Sequence, residues 1–429
     1  MLGSNSEVHR MTSKLIRKNI LIGAGVIGLF GGIAALSYYF VLQFMLHLIW
    51  GRIYGSSIET LFRSADHPYL LVLITSIGGL LIGCSLKWLG KPGEIAAVVD
   101  NIHLERGRLD IRQSPSMIVN SLISITAGGS AGPEAPLVQI IGSFGSWLGD
   151  RLGLPDEEVR IYTFCGMATA LGALFGAPIG GALFALEIPH RRGLEYYEAL
   201  LPSCVAALVG FLVFRGALGW EAPLYAQPAL HAFSYNLLLF AALFGIVGAS
   251  LGGLFAILFR TIERLTHPFV QFPILLGAVG GALIGLSALY FPETLFWGEY
   301  QIQSLLTLSA SVSHLFLIAA VKMLTIGFTL HFGFRGGFIF PLFFIGAALG
   351  LGISTIFPTI PPLVAMLSLM AALNVAVTKT PISTTMILTA LSGANLLPLL
   401  AIASFTSFLV SSRVEVIHSQ KSRNIRVAA

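Results

Sequence analysis

The sequence predicts an all-α, polytopic membrane protein made of two repeats of many tilted and broken helices. Three observations carry that prediction. Of 429 residues, 55% are hydrophobic and only 10% charged, and the mean hydropathy is +0.84. Soluble chains carry roughly 25% charged residues, so this chain has too few charges to cover a soluble globule and too much apolar surface to stay disordered. Second, its apolar runs are irregular in length and cut by Gly and Pro, as in membrane proteins whose helices break inside the bilayer. Third, a pattern in the first half recurs in the second.

Crossing a hydrocarbon core of ~30 Å takes about 20 helical residues. Arg10, Lys14, Arg17 and Lys18 precede an apolar run over 20–50 that is too long for a signal-peptide core and has no clear cleavage site, so it reads as a retained first span. Further runs follow at 68–90, 114–130, 134–149, 158–188, 195–215, 234–259, 269–291, 312–332, 338–357, 361–377 and 381–412. Some are too short to cross upright, and others are long enough to hold two elements. The expected organisation is a tail (1–19), a first membrane repeat (20–215), a linker (216–234), a second repeat (235–412) and a tail (413–429), with no regulatory domain after the last apolar run. If the N-terminus is cytoplasmic, the segments 1–18, 87–112, 150–160, 191–192, 260–264 and 413–426 collect 19 of the 25 Lys and Arg residues. The opposite loops 216–234 and 292–301 hold Glu221, Glu293 and Glu299 but no Lys or Arg. The positive-inside rule then puts both termini in the cytoplasm, with the inner or plasma membrane as the expected location.

The internal repeat is explicit. Met167–Pro178 reads MATALGALFGAP and Met370–Pro381 reads MAALNVAVTKTP. Upstream of each stands a Gly-x-x-x-Pro element, Gly132–Pro136 and Gly337–Pro341. Pro136 and Pro178 lie 42 positions apart, Pro341 and Pro381 lie 40 apart. Repeats of this kind bring broken helices together at mid-membrane, where transport sites form.

The chemistry concentrates at the first of these elements. Glu134 is a lone acid between two apolar runs, and an intramembrane carboxylate costs at least a few kcal/mol on insertion scales. Pro136 fits the first turn of a helix, and the free N–H groups of a helix start favour an anion. Glu134 either fills that place permanently or swings away and leaves it to a mobile anion. The second element has the same helix-start logic without an acid. Its glycines let backbone approach a ligand, and the N–H groups of Phe338, Ile339 and Phe340 are candidates to face it.

In this combination and order the sequence resembles the CLC family of chloride channels and anion/proton exchangers, over about 20–412. The family's Gly-Arg-Glu-Gly-Pro motif matches Gly132-Pro133-Glu134-Ala135-Pro136, and its Gly-x-Phe-x-Pro motif matches Gly337-Phe338-Ile339-Phe340-Pro341. The resemblance implies a homodimer in the lipid bilayer, two inverted-topology repeats and one anion path per subunit, and a gating role for Glu134, whose side chain mimics the anion. It implies an anion site at Gly132, Glu134, Ala135, Gly337, Phe338, Ile339 and Phe340. Pro133 replaces the motif's Arg, and Ala135 its second Gly. The family's serine-bearing motif has its best counterpart in Gly90–Ile95, which has no serine. Its late tyrosine is expected near Gly393–Asn395, where Asn395 offers an amide instead.

Phe184–Pro189 matches a family segment with two adjoining acids, but only Glu187 is acidic; Ile188 stands at the inner proton-transfer position. An aliphatic side chain relays no proton, which favours passive, channel-like conduction, with proton-coupled antiport as the alternative. Glu187 is expected to form a structural ion pair with His190, Arg191 or Arg192 rather than a relay. Lys379 is expected to attract anions or to pair with Glu187 or a backbone carbonyl, and Lys322 to snorkel toward the membrane surface. Cys84, Cys165 and Cys204 and the ten His residues have no metal-ligand spacing. No metal, cofactor or nucleic acid is expected, and no catalytic residues: an intramembrane enzyme would need a nucleophile–base pair or an acidic dyad, and Glu134 has no such partner. The expected partner is chloride or a similar small anion.

Overall fold

The computed structural model describes residues 3–55, 67–93, 95–191, 193–219, 235–307, 310–393 and 396–421. Among these the regular structure is helical, apart from one isolated antiparallel bridge between Gly132 and Gly337. The first half contains α1 (Gly3–Leu46, continued by a π-helical stretch His47–Tyr54), α2 (Pro68–Leu89), α3 (Ile95–Leu104), α4 (Ser114–Thr126), α5 (Glu134–Arg151), α6 (Asp156–Phe175), α7 (Pro178–Glu187) and α8 (Leu200–Leu218). The second contains α9 (Tyr235–Thr266), α10 (Pro273–Tyr290), α11 (Glu299–Thr307), α12 (Val312–His331), α13 (Ile339–Ile356), α14 (Pro362–Thr378), α15 (Pro381–Ser392) and α16 (Leu397–Val410).

Local sequence sets many of these boundaries. Proline opens α2, α7, α10, α14 and α15, where its fixed φ suits the first turn and its missing N–H leaves no gap. Gly176 (φ +64°) closes α6 and Gly393 (φ +58°) closes α15, in the left-handed conformation that glycine adopts without a Cβ penalty. The run 158–188 is therefore two helices broken at Gly176–Pro178, and the run 381–412 is α15 plus α16. Seven helical segments are long and apolar enough to cross a membrane, while α7, α14, α15 and α16 are shorter apolar helices.

Two helices lie outside the expected runs. α3 falls in the stretch read as a cytoplasmic loop, yet Val98, Val99 and Ile102 on it are buried; ten residues are too few to signal a span. α11 starts inside the stretch read as an outer loop, and Ile302 and Leu305 pack inward. The linker 216–234 lies outside the described residues from position 220 on.

Among the described residues eight α-helices precede the linker and eight follow it, and like-placed elements meet across the halves. α2 packs on α10, α7 on α15, and the loop before α5 bridges the loop before α13. The α2–α10 contact is backbone to backbone: a Cβ added at Gly79 would lie 2.0 Å from the Gly277 carbonyl oxygen, and one at Gly277 2.2 Å from that of Gly79. With lipid as apolar as the side chains, such close small-residue approach holds helices together by dispersion and packing. The core is also phenylalanine-rich: Phe175, Phe184, Phe340 and Phe343 form a chain of tilted and edge-on rings 5.2–6.4 Å apart beneath the paired helix starts.

Candidate functional site

The bridge between Gly132 and Gly337 defines the site. Gly132 N–H donates to Gly337 O at 2.8 Å, and Gly337 N–H to Gly132 O at 2.7 Å. This clamps the N-termini of α5 and α13 together, one from each half. Glu134 is the first residue of α5 and is 1% exposed. Its carboxylate crosses to the other helix, where Oε1 accepts from the N–H of Ile339 (2.9 Å) and of Phe340 (3.4 Å). Oε2 has no hydrogen-bond partner among the described residues. A buried carboxylate so held sits where a free anion would be bound, on helix-start donors with the favourable end of the helix dipole.

Both glycines are required by this geometry. A Cβ at Gly337 would lie 2.4–2.5 Å from Cδ, Cγ and Oε1 of Glu134, and one at Gly132 would lie 2.0 Å from Oε2. Of the three expected N–H donors, Ile339 and Phe340 contact the carboxylate. Phe338 instead caps α13, its carbonyl accepting from Leu342 N–H at 2.9 Å, and its side chain helps line a cavity of about 320 Å³. That cavity reaches Ala135 and Pro136 in the first turn of α5, and its walls include Lys91, Gly93, Gln139 and Arg335. The segment 90–95 thus approaches the site as expected, through Lys91 and Gly93, with Glu94 outside the described residues. On the other side of Ala135 lies a gap of about 10 Å³ whose lining, Glu134 apart, is apolar, among it Met167, Phe184, Ile188 and Ile339.

Several expectations are corrected. Glu187 is not ion-paired among the described residues. It is buried at the end of α7 and caps α15: Oε1 accepts from Ile382 N–H (3.1 Å), and Oε2 accepts from Ser383 N–H (2.8 Å) and Ser383 Oγ–H (2.5 Å). Arg191 pairs with Glu415 at 2.5 Å, and Arg192 lies outside the described residues. Sequence separation hid this contact, since Glu187 and Ile382 are 195 positions apart. Lys379 does not face the cavity. It takes a left-handed backbone (φ +62°) at the end of α14, and its Nζ donates to Ala376 O (2.8 Å), Ser411 O (2.5 Å) and Ser411 Oγ (2.9 Å). Of the options read from sequence, the backbone carbonyl is the one found. Lys322 does not snorkel: it is 0% exposed, and its Nζ donates to the carbonyls of Thr294 (2.9 Å), Leu295 (3.1 Å) and Phe296 (2.8 Å).

Asn395 lies outside the described residues. The sequence reading missed the segment after α16, which returns across the mouth of the cavity and lines it with Val416, Ile417 and His418. It is tied down by Arg191 to Glu415, by a hydrogen bond from Arg260 to the Glu415 carbonyl, and by Gln420 Nε2 to the carbonyls of Ile188 (2.8 Å) and Thr378 (2.7 Å). Val416, Ile417 and Ser419 are buried and His418 is exposed.

With this geometry in view, residues 78–412 match the family model described as voltage gated chloride channel. The chain belongs to that family. Family members are ion channels and transporters, so the protein is an anion-transport protein of the membrane and not an enzyme. Among curated relatives, the chain is 27% identical to a "Chloride/fluoride channel protein" of Pseudomonas syringae pv. tomato, over 83% of this chain and 79% of that one. It is 26% identical to a "Putative ion-transport protein YfeO" of Escherichia fergusonii, over 85% and 86% of the two chains. Among solved structures, the fold is similar to a CLC-type fluoride/proton antiporter (TM-score 0.80, 24% identity, 94% of this chain and 98% of that one). It is also similar to a slow cyanobacterial Cl-/H+ antiporter (TM-score 0.79, 19% identity, 92% and 94%). At these identities the structural likeness speaks for the CLC fold alone.

Proposed function

We propose that the protein conducts chloride or a similar small anion through a path in each subunit of a homodimer, gated by Glu134. The observation that carries this reading is the Glu134 carboxylate on the N–H groups of Ile339 and Phe340. In this state the side chain holds the donors a permeating anion needs. When the carboxyl is protonated it loses its charge and its claim on those donors, and an anion takes the place. The anion is stripped of water there by N–H dipoles and leaves because each contact is weak. Gly132, Ala135 and Gly337 give the backbone access this exchange requires.

The reading favours uncoupled conduction. Glu134 apart, the described residues that line the small gap between Glu134 and Ile188 carry no proton-bearing side chain. The second reading is proton-coupled exchange of fluoride or chloride. It draws support from the antiporters that share the fold and from the chloride/fluoride wording of the curated relative. The excess of Lys and Arg on one set of loops supports placing both termini in the cytoplasm.

Reconstitution into liposomes tests the reading. Wild-type flux should rise as pH falls, because acid neutralises Glu134, and Glu134→Gln should conduct with little pH dependence. A reversal potential that follows only the anion gradient identifies uncoupled conduction, and one that shifts with the pH gradient identifies exchange. An unchanged pH dependence in Glu134→Gln contradicts the gate.

A further inference from the structure

The 320 Å³ cavity beneath the helix starts is walled by titratable residues from separate elements. His267 follows α9, His331 ends α12, and His418 comes from the segment after α16. Lys91 and Arg335 supply fixed positive charge, and Glu263 is the acid among the described lining residues. In the returning segment Glu415 pairs with Arg191 and Lys421 with Asp100, and Arg413 is exposed and does not line the cavity. His331 stacks edge-on against Phe259 with ring centroids 4.1 Å apart, which fixes the imidazole at the wall. The cavity extends to Ala135 and Pro136 beside Glu134.

We propose that His267, His331 and His418 form a proton-sensitive collar that sets how strongly this mouth of the path concentrates anions. The inference rests on the anion-path reading above and adds a second, separate control to it. Among the described lining residues, with neutral imidazoles, Lys91 and Arg335 against Glu263 leave one net positive charge, and three imidazolium ions raise it to four. Histidine is the side chain whose charge changes between pH 5 and 8. A unit charge ~10 Å from an anion in water-like screening changes its local concentration about two-fold. The collar therefore acts on apparent anion affinity, whereas Glu134 acts on whether the path is open.

The test removes the gate first. Chloride uptake by Glu134→Ala in proteoliposomes is measured against chloride concentration at pH 8.0 and 5.5, equal on both sides and at low ionic strength. The half-saturating chloride concentration should fall at pH 5.5, by about two-fold for each imidazole that protonates. Adding His267→Gln, His331→Gln and His418→Gln should hold it at the pH 8.0 value. The single variant His418→Gln, on an exposed position, should remove part of the shift and gives a readout if the triple variant does not fold. The proposal is overturned if half-saturation in Glu134→Ala is the same at both pH values, or if the shift survives the three glutamines. Failure of the gate reading is distinct: Glu134→Ala would then keep the wild-type acid activation of the maximal rate.

Discussion

Gly337→Ala is the perturbation most closely specified by the structure. The added Cβ would lie 2.4 Å from Cδ and Cγ of Glu134 and 2.5 Å from Oε1, closer than non-bonded carbon atoms come. Gly337 does not have a positive φ, so alanine brings no backbone strain. The backbone cannot retreat without breaking both hydrogen bonds to Gly132, whereas the Glu134 side chain can swing. The methyl should therefore evict the carboxylate from Ile339 and Phe340. One good bond at 2.9 Å and one weak bond at 3.4 Å are lost. At ~1.5–3 kcal/mol for a hydrogen bond to a charged group, the closed arrangement loses about 2–3 kcal/mol, or roughly 30- to 150-fold in population. The assay is chloride efflux from proteoliposomes at pH 7.5 and 4.5, read with an ion-selective electrode. The anion takes the same place, so the methyl crowds it too: acid activation should shrink, with flux at pH 4.5 below the wild-type acid level. In a Glu134→Ala background the same substitution should lower flux, because the methyl then meets the anion alone. Full wild-type acid activation in Gly337→Ala would refute the reasoning, as would an unchanged flux in the double variant.

Two further predictions concern buried charges that the gate does not use. Glu187→Ala orphans the N–H groups of Ile382 and Ser383 at the buried start of α15; at ~1–3 kcal/mol per unsatisfied group it should clearly lower the unfolding temperature in detergent while leaving the acid activation of flux in place, so loss of acid activation at normal stability would instead mark Glu187 as a proton relay. Lys322→Met removes the donor shared by the carbonyls of Thr294, Leu295 and Phe296 and should destabilise by about 2 kcal/mol once relief of a buried charge is set against three lost bonds; unchanged thermal stability would show that water replaces the ammonium.

The parts of this architecture that were legible in the sequence share one property: their signal is local. Gly132–Pro136 and Gly337–Pro341 announce helix starts because glycine and proline act on their own backbone, and Glu134 stands out as one acid in an apolar stretch. The order of the second half repeats that of the first, so the pairing of these two elements could be expected before their contact was seen. What stayed hidden depends on partners distant in sequence. Glu187 reads as a neighbour of His190 and Arg191 until α15 folds against α7 and presents its N–H groups. Lys322 sits in a helix of spanning length, and nothing local says that three carbonyls of the loop before α11 lie within reach of its ammonium. The segment Val416–His418, which lines the cavity, stayed hidden because it is positioned by Arg191, Arg260 and Gln420 rather than by its own pattern. Helices α3 and α11 escaped because ten and nine residues are too short to show as spans.

The central claim is that Glu134 and the transported anion compete for the same backbone donors. A structure of Glu134→Ala grown in bromide and recorded at the bromine absorption edge tests it most directly. The account predicts an anomalous peak at the position of the Glu134 carboxylate, within hydrogen-bonding distance of the Ile339 and Phe340 N–H groups. A vacated site with no ion there, while the variant still conducts bromide, would contradict it.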